Sequence, residues 1–192
     1  MFSEHLKEHT KVNHQQLEIK LLTILRSIRT QFEYGKLLSL FYSFFKSLEL
    51  SIQKYLDPED LITYSRRRKV QALVVDLNFV SQAIPPLAET DFLPQINDRF
   101  EALGALYVLE GSTLGGNAIC GMLKKSMDTP NVDAMTFFTG HAGDTLNNWK
   151  EFLTILNMPY NILEQQSMMR SANDTFICFG LWIDKYYGRT TS

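Results

Sequence analysis

The sequence has little cysteine and no long apolar run. Cys120 and Cys178 are its two cysteines, and they lie far apart and outside any CxxC pair. We therefore expect neither a disulfide framework nor a thiolate metal site, and we interpret both cysteines as small core residues. No stretch approaches the ~20 apolar residues of a membrane span. Charged residues begin at Glu4, and this argues against a secretory signal. These features predict a cytoplasmic protein with no membrane partner.

A strong excess of charge is also missing. The chain carries Lys+Arg 19 and Asp+Glu 21, which gives a formal net charge of -2 at pH 7. Proteins that bind nucleic acid usually present a basic surface, so we expect no nucleic-acid partner. Hydrophobic residues make up 45% of the chain and aromatic residues 12%, and this content excludes a disordered chain.

Internal repeats, low-complexity segments and linkers rich in Gly, Ser or Pro are absent, so we predict a single domain over residues 1–192. The prolines fall between segments whose apolar residues recur every three or four positions, whereas alternating strand patterns are lacking. The fold class is therefore all-α, a single-domain multi-helix bundle. The predicted helices cover residues 3–27, 31–56, 66–80, 96–125, 143–157 and 160–187.

The first predicted helix contains the segment "LKEHTKVNHQQLE", residues 6–18. At 3.6 residues per turn, six side chains fall within about 60° of His14, its own included. These residues are Lys7, Thr10, His14, Leu17, Glu18 and Leu21. His5 and His9 point to the opposite side and are interpreted as solvated residues. His14 is either a core histidine satisfied by a hydrogen bond or a ligand to a metal.

The neighbours of His14 favour the second interpretation. Glu18, one turn later, can accept an imidazole N–H directly or through water, which leaves the other nitrogen free for a metal. Lys7, two turns earlier, can meet an anionic group at the far edge of a flat ligand.

The second notable segment, "LYVLEGSTLGGN" (residues 106–117), places three glycines in an apolar helical run. Each glycine inside a helix costs roughly 0.5 to 1 kcal/mol relative to alanine, so the missing side chains should serve a purpose. A ligand pressed against bare backbone is one explanation, and close packing between helices is the other.

Together these two segments resemble the heme oxygenase family, and "YVLEGSTLGG" is particularly similar to its bacterial biliverdin-producing branch. The segments "FFTGHAGDTLNNWKEF" (residues 137–152) and "SANDTFICFGLWI" (residues 171–183) also resemble later helices of that branch. The resemblance implies a heme held between a proximal helix, whose His14 ligates the iron, and a distal helix kinked at glycines. The implied glycines are Gly111, Gly115 and Gly116.

The resemblance also implies roles for other residues. Many animal-type members carry an aspartate after the first distal glycine, where Ser112 stands here, so Ser112 or exposed backbone groups would hold the water needed there. Lys150 falls where animal-type members place a propionate-binding arginine, and Phe176 falls at the heme edge. The implied catalytic residues are His14, Gly111 and Ser112. The implied heme-binding residues are Lys7, Thr10, His14, Glu18, Gly111, Ser112, Gly115, Gly116, Lys150 and Phe176.

Three function classes follow. The first is an enzyme that uses O2 and external electrons, from a ferredoxin or a flavin reductase, to open heme to biliverdin, CO and free iron. The second is a non-catalytic heme carrier or sensor on the same fold, and the third is a helical protein without heme. The run "RRRK", residues 66–69, is interpreted as solvated surface or, alternatively, as a dock for an acidic electron donor.

Overall fold

The computed structural model describes residues 1–57, 69–128, 130, 132–140 and 145–188. Within these ranges the chain forms α-helices and two short 3-10 turns, at Thr90–Phe92 and Val132–Ala134, and no strand, which confirms the all-α prediction. Arg66 to Arg68, the side chain of Lys69 and the predicted start of the helix at 143 lie outside the described residues. The helices are α1 Phe2–Ser27, α2 Gln31–Ile52, α3 Lys69–Phe79, α4 Arg99–Gly111, α5 Gly116–Ser126, α6 Thr136–Thr139, α7 Thr145–Leu156 and α8 Ile162–Gly188.

Local capping chemistry sets several helix ends. At the start of α2, the Glu33 backbone N–H donates to Thr30 Oγ1 at 3.2 Å, and the Thr30 N–H donates back to Glu33 Oε2 at 2.9 Å. Asp98 accepts from the Glu101 N–H at 2.8 Å, so α4 begins at Arg99 and not at the predicted position 96. The prediction for α2 was too long at its other end, because the helix stops at Ile52 and gives way to a turn.

Aromatic side chains of α2 form the centre of the core. Phe41, Phe44 and Phe45 are buried. Phe179 on α8 stacks on Phe44 with ring centroids 4.6 Å apart and also contacts Phe41 edge-on. Offset and edge-on pairs of this kind stabilise a core by about 0.5 to 1.5 kcal/mol each beyond the area they bury. This cluster fixes α8 against α2 and so positions the rest of α8.

Helices α1 and α8 run side by side in the same direction. Near the middle of α1, the Asn13 amide donates to Asn173 Oδ1 at 2.7 Å. Further along, Lys20 forms an ion pair with Asp184. The two helices therefore stay in register over several turns. No helix in the described part of the chain has both the length and the apolar composition needed to cross a membrane.

A buried carboxylate on α3 holds the short helix α6, which the sequence did not predict. Asp76 is 0% exposed and accepts hydrogen bonds from the backbone N–H groups of Thr136 at 2.9 Å and Phe137 at 2.8 Å. Burial raises the pKa of Asp76, and these hydrogen bonds act in the opposite direction. The Tyr34 hydroxyl donates to the Ala134 carbonyl at 2.7 Å just before α6. The segment at 132–140 is thus fixed from two sides.

Candidate functional site

The His14 side chain lies at the surface of α1 and contacts α8. It is 52% exposed, and its ring centroid lies 5.2 Å from that of Phe176, which is buried. The exposure excludes the interpretation of His14 as a satisfied core histidine. The helical phase is correct for Thr10 and Leu17, which are buried, whereas Lys7 and Glu18 are exposed.

Glu18 lies close enough to orient the His14 imidazole. Its Oε1 is 3.6 Å from His14 Nε2, a separation that is long for a direct hydrogen bond and suits an electrostatic or water-mediated contact. Nδ1 is then the nitrogen turned away from the carboxylate. The contact with Glu18 engages one ring nitrogen, and the other is left for a ligand.

Thr10 connects α1 to the glycine segment. Its side chain is 2% exposed, and its hydroxyl donates to the Leu6 carbonyl at 2.9 Å. Burial raises the pKa of Tyr107 on α4, one helical turn before Gly111, and the Thr10 side chain, which lies near that phenol, acts in the opposite direction. The two segments predicted to form one site are therefore neighbours in space, although they are distant in the sequence.

The glycine segment is a break between two helices. Residues 112–115 form a turn in which the Leu114 N–H donates to the Gly111 carbonyl at 3.0 Å. The prediction of one continuous helix over 96–125 is thus wrong, because α4 ends at Gly111 and α5 starts at Gly116. A bend at glycines agrees with the kink that the resemblance implied.

The three glycines have different surroundings. A Cβ at Gly116 would overlap the backbone carbonyl oxygen of Phe138 on α6, so this glycine permits close helix packing. A Cβ at Gly115 would meet nothing within 4 Å, and one at Gly111 would meet only the Trp149 ring, at 3.9 Å. Gly116 is thus explained by helix packing, whereas Gly111 and Gly115 leave their side of the bend open, and the expectation that the three glycines make room for a ligand stays a prediction.

The hydroxyl proton of Ser112 is engaged in a local hydrogen bond at the end of α4. Its Oγ donates to the Leu109 carbonyl at 2.7 Å. The lone pairs of Oγ remain able to accept a hydrogen bond, whereas the proton is already placed. Ser112 can therefore hold a water as an acceptor, and it differs in this respect from an aspartate, which has two oxygens free to accept.

The predicted cationic residues are exposed. Lys7 lies on α1 and Lys150 on α7. The end of α7 is tied to the start of α1, because the Ser3 backbone N–H donates to Asn157 Oδ1 at 3.0 Å. Both lysines thus stand on helices that contact each other at this end of the molecule, and their role toward an anionic edge of a ligand stays a prediction.

Sequence reasoning missed two aromatic residues at this site. The Tyr107 and Trp149 rings lie 5.7 Å apart beside Gly111 and are partly buried. Tyr107 was detectable as the residue one turn before Gly111, but the proximity of Trp149 depends on how α7 packs. In the described part of the chain no three or more His, Cys, Asp or Glu side chains are grouped to hold a metal ion.

Comparison with known proteins shows the family and the fold. The family model described as heme oxygenase matches residues 1–185. The fold is similar to that of heme oxygenase from Leptospira interrogans, with a TM-score of 0.75 and 18% identity over 96% of this chain and 98% of that one. It is also similar to heme oxygenase from Neisseria meningitidis, solved with NO and CO bound, with a TM-score of 0.74 and 19% identity over 98% and 92% of the two chains. A search of curated protein sequences gives no significant match.

Proposed function

Because the chain belongs to the heme oxygenase family, we propose that it cleaves heme, with O2 and electrons from an external donor, to biliverdin, CO and free iron. The observation that carries this proposal is the placement of an exposed imidazole, His14, on α1 and an open break at Gly111 and Gly115 at the end of α4, with the Thr10 side chain near Tyr107 between them. A flat macrocycle needs both a ligand for its metal and a wall without side chains, and these residues can provide them.

The residues present fit a heme. His14 would hold the iron through one nitrogen while Glu18 orients the ring through the other, and Phe176 would support the imidazole from α8. When bound, the heme supplies the oxygen chemistry, for which side chains have no equivalent. Lys7 and Lys150 would hold the propionates, each as a point charge.

On the side of the glycine segment, the chain would contribute a backbone that approaches the heme closely and a position that holds water. Gly111 and Gly115 allow the backbone to approach the macrocycle. Ser112 Oγ, with its proton donated to Leu109, would accept a hydrogen bond from a water near the reacting edge and so hold that water in place. Proton delivery would come from that water, because the Ser112 proton is already placed.

We further propose a cytoplasmic location and an acidic electron donor, such as a ferredoxin or a flavin reductase. Both described cysteines are free thiols, which suits a reducing compartment. The basic run at residues 66–69, which lies outside the described side chains, would steer an acidic partner toward the protein.

The experiment that tests the proposal has two stages. Hemin is first added to the heme-free protein, and a Soret band of a histidine-ligated complex is expected. A reductant and O2 are then supplied, and the band should be replaced by the spectrum of biliverdin together with released CO. A stable Soret band without conversion would favour a heme carrier or sensor, and no Soret band at all would leave a helical protein without heme.

A further inference from the structure

The short helix α6 lies directly against the glycine bend. A Cβ at Gly116 would overlap the backbone carbonyl of Phe138 on α6, and Gly116 is buried. Gly115 beside it is exposed and would place its own Cβ in open space. Because backbone lies against backbone at Gly116, no flexible side chain separates the two segments. A shift of α6 is therefore passed directly to the start of α5.

The sequence of α6 is not sufficient to hold this helix in place. It has only four residues, Thr136–Thr139, far fewer than a helix needs to be stable alone. Met135 precedes it and provides no side-chain hydrogen bond to its first turn. Gly140 ends it with a φ of 62°, in the left-handed region that favours glycine. The first backbone N–H groups of α6 therefore need an acceptor from elsewhere in the chain.

Asp76 on α3 is that acceptor. Its carboxylate is fully buried, and Oδ1 accepts from the Thr136 N–H at 2.9 Å while Oδ2 accepts from the Phe137 N–H at 2.8 Å. The two oxygens cap α6 as an N-cap side chain would, although they come from a helix 60 residues away in the sequence. The carbonyl that lies against Gly116 belongs to Phe138, the next residue along α6.

Aromatic contacts support α6 from the core, but they do not fix it as sharply. The Phe138 ring lies edge-on to Phe41 with centroids 5.4 Å apart, and the Phe137 ring lies 5.6 Å from the same partner. Apolar contacts of this kind have little directional preference. The two hydrogen bonds to Asp76 are directional, so they define both the position and the tilt of the helix.

We propose that Asp76 is a positioning residue for the glycine bend: it holds α6 as a fixed support behind Gly116 and so keeps the open face at Gly115 in one place. This inference rests on the proposed function, because it concerns the face that would receive heme. When the support is loosened, only a fraction of the molecules has the bend in position. The apparent dissociation constant of hemin then rises by the inverse of that fraction.

A double-mutant cycle in the heme-free protein tests the connection between Asp76 and the bend. The variants are Asp76→Asn, Gly116→Ala and the double variant, compared by urea unfolding at one pH. The new Cβ of Gly116→Ala presses on the backbone of α6, which can move aside more easily once Asp76 no longer holds it. The shift in the urea midpoint caused by Gly116→Ala should therefore be smaller in the Asp76→Asn background. Fully additive shifts would overturn the inference.

The second measurement concerns heme itself. Hemin binding is titrated, and the C–O stretching band of the ferrous complex with CO is recorded by infrared spectroscopy, because this band responds to the groups close to the bound CO. Asp76→Asn should bind hemin about three- to tenfold more weakly. Its C–O band should shift or broaden, because the bend takes more than one position.

Ser47→Ala is the matched control for Asp76→Asn. Ser47 is buried, and its hydroxyl likewise accepts a hydrogen bond from a distant backbone N–H, that of Ala88 at 3.0 Å. This hydrogen bond involves neither α6 nor the bend. Ser47→Ala should therefore lose stability while it keeps the hemin affinity and the C–O band. Unchanged affinity and an unchanged band in Asp76→Asn would overturn the inference, and so would equal changes in Ser47→Ala.

Hydrogen exchange in the unaltered protein decides if Asp76→Asn or Gly116→Ala does not fold. Coupling between two sites is reciprocal, so bound hemin should slow exchange of the Thr136 and Phe137 N–H groups more than that of the Ala88 N–H. Equal slowing at these positions would contradict the role of Asp76. Failure of the unaltered protein to bind hemin would overturn the proposed function itself, and the heme-free cycle would still decide whether Asp76 holds the bend.

Discussion

The two walls of the proposed site are built in different ways. The His14 wall is one continuous helix, and its side chains point where a period of 3.6 residues places them, with Thr10 and Leu17 buried and Lys7 exposed. The glycine wall is a break between α4 and α5 that depends on contacts with other helices. Local periodicity therefore predicts in which direction a side chain points. A glycine motif, by contrast, does not show whether a ligand or another helix occupies the space that a side chain would fill.

The adjacent glycines of the bend illustrate this most clearly. Gly115 faces open space, and Gly116 lies against the backbone of Phe138 on α6. The helix α6 is in turn capped by Asp76 on α3. One glycine is therefore available to a ligand, and its neighbour belongs to a chain of packing contacts that holds the bend in place.

The largest expected effect is that of Gly116→Ala. The new Cβ would overlap a backbone oxygen, which cannot move aside like the end of a flexible side chain, so we expect a loss of about 3 kcal/mol in the free energy of unfolding. Gly115→Ala should be neutral or stabilise the fold by up to about 1 kcal/mol, because its backbone φ of -82° suits alanine. Urea unfolding of the heme-free proteins measures both.

A second packed glycine supplies the control for that pair. A Cβ at Gly104 would overlap the Met168 carbonyl oxygen on α8, so Gly104→Ala should resemble Gly116→Ala. Equal stability of the Gly115 and Gly116 variants would contradict the distinction between an open and a packed glycine.

Asp76→Asn should have an intermediate effect. Asparagine keeps the shape of the side chain but has one acceptor oxygen for two N–H groups, which implies a loss of about 1 to 3 kcal/mol. Because the folded pKa of Asp76 is raised, its contribution to stability is fully present below the ordinary value of 3.8 and declines as the pH rises through the folded pKa. The stability difference between the two proteins, measured by urea unfolding, should therefore shrink with rising pH. A difference that grows with pH would contradict this sign.

Lys7→Ala and Lys150→Ala should leave the stability nearly unchanged, because both side chains are exposed. Each should weaken hemin binding by roughly tenfold if it holds a propionate, and it should broaden the mixture of biliverdin isomers. Lys11→Ala is a matched control, since Lys11 lies on α1 in an exposed pair with Glu8. Unchanged affinity and an unchanged isomer mixture in both variants would remove these lysines from the site.

Much of the fold could be predicted from the sequence, because most helices carry their own signals in apolar spacing and capping residues. The short helix α6 could not, since it depends on the carboxylate of Asp76, which is distant in the sequence. For the candidate site, the helical phase was enough to predict that Thr10 and His14 lie on the same face of α1. The separation of Gly115 from Gly116 and the approach of Trp149 depend on packing between helices, which no local pattern encodes.

The central claim is that His14 binds the heme iron opposite the glycine bend, and His14→Ala tests it most directly. The side chain is half exposed, so its removal should change the free energy of unfolding by less than about 0.5 kcal/mol. Hemin added to this variant should lack the spectrum of a histidine-ligated complex, and added imidazole should restore that spectrum. His141 lies outside the described part of the chain and serves as the comparison. If His14→Ala kept the spectrum of the histidine-ligated complex and His141→Ala lost it, the assignment of His14 would be wrong.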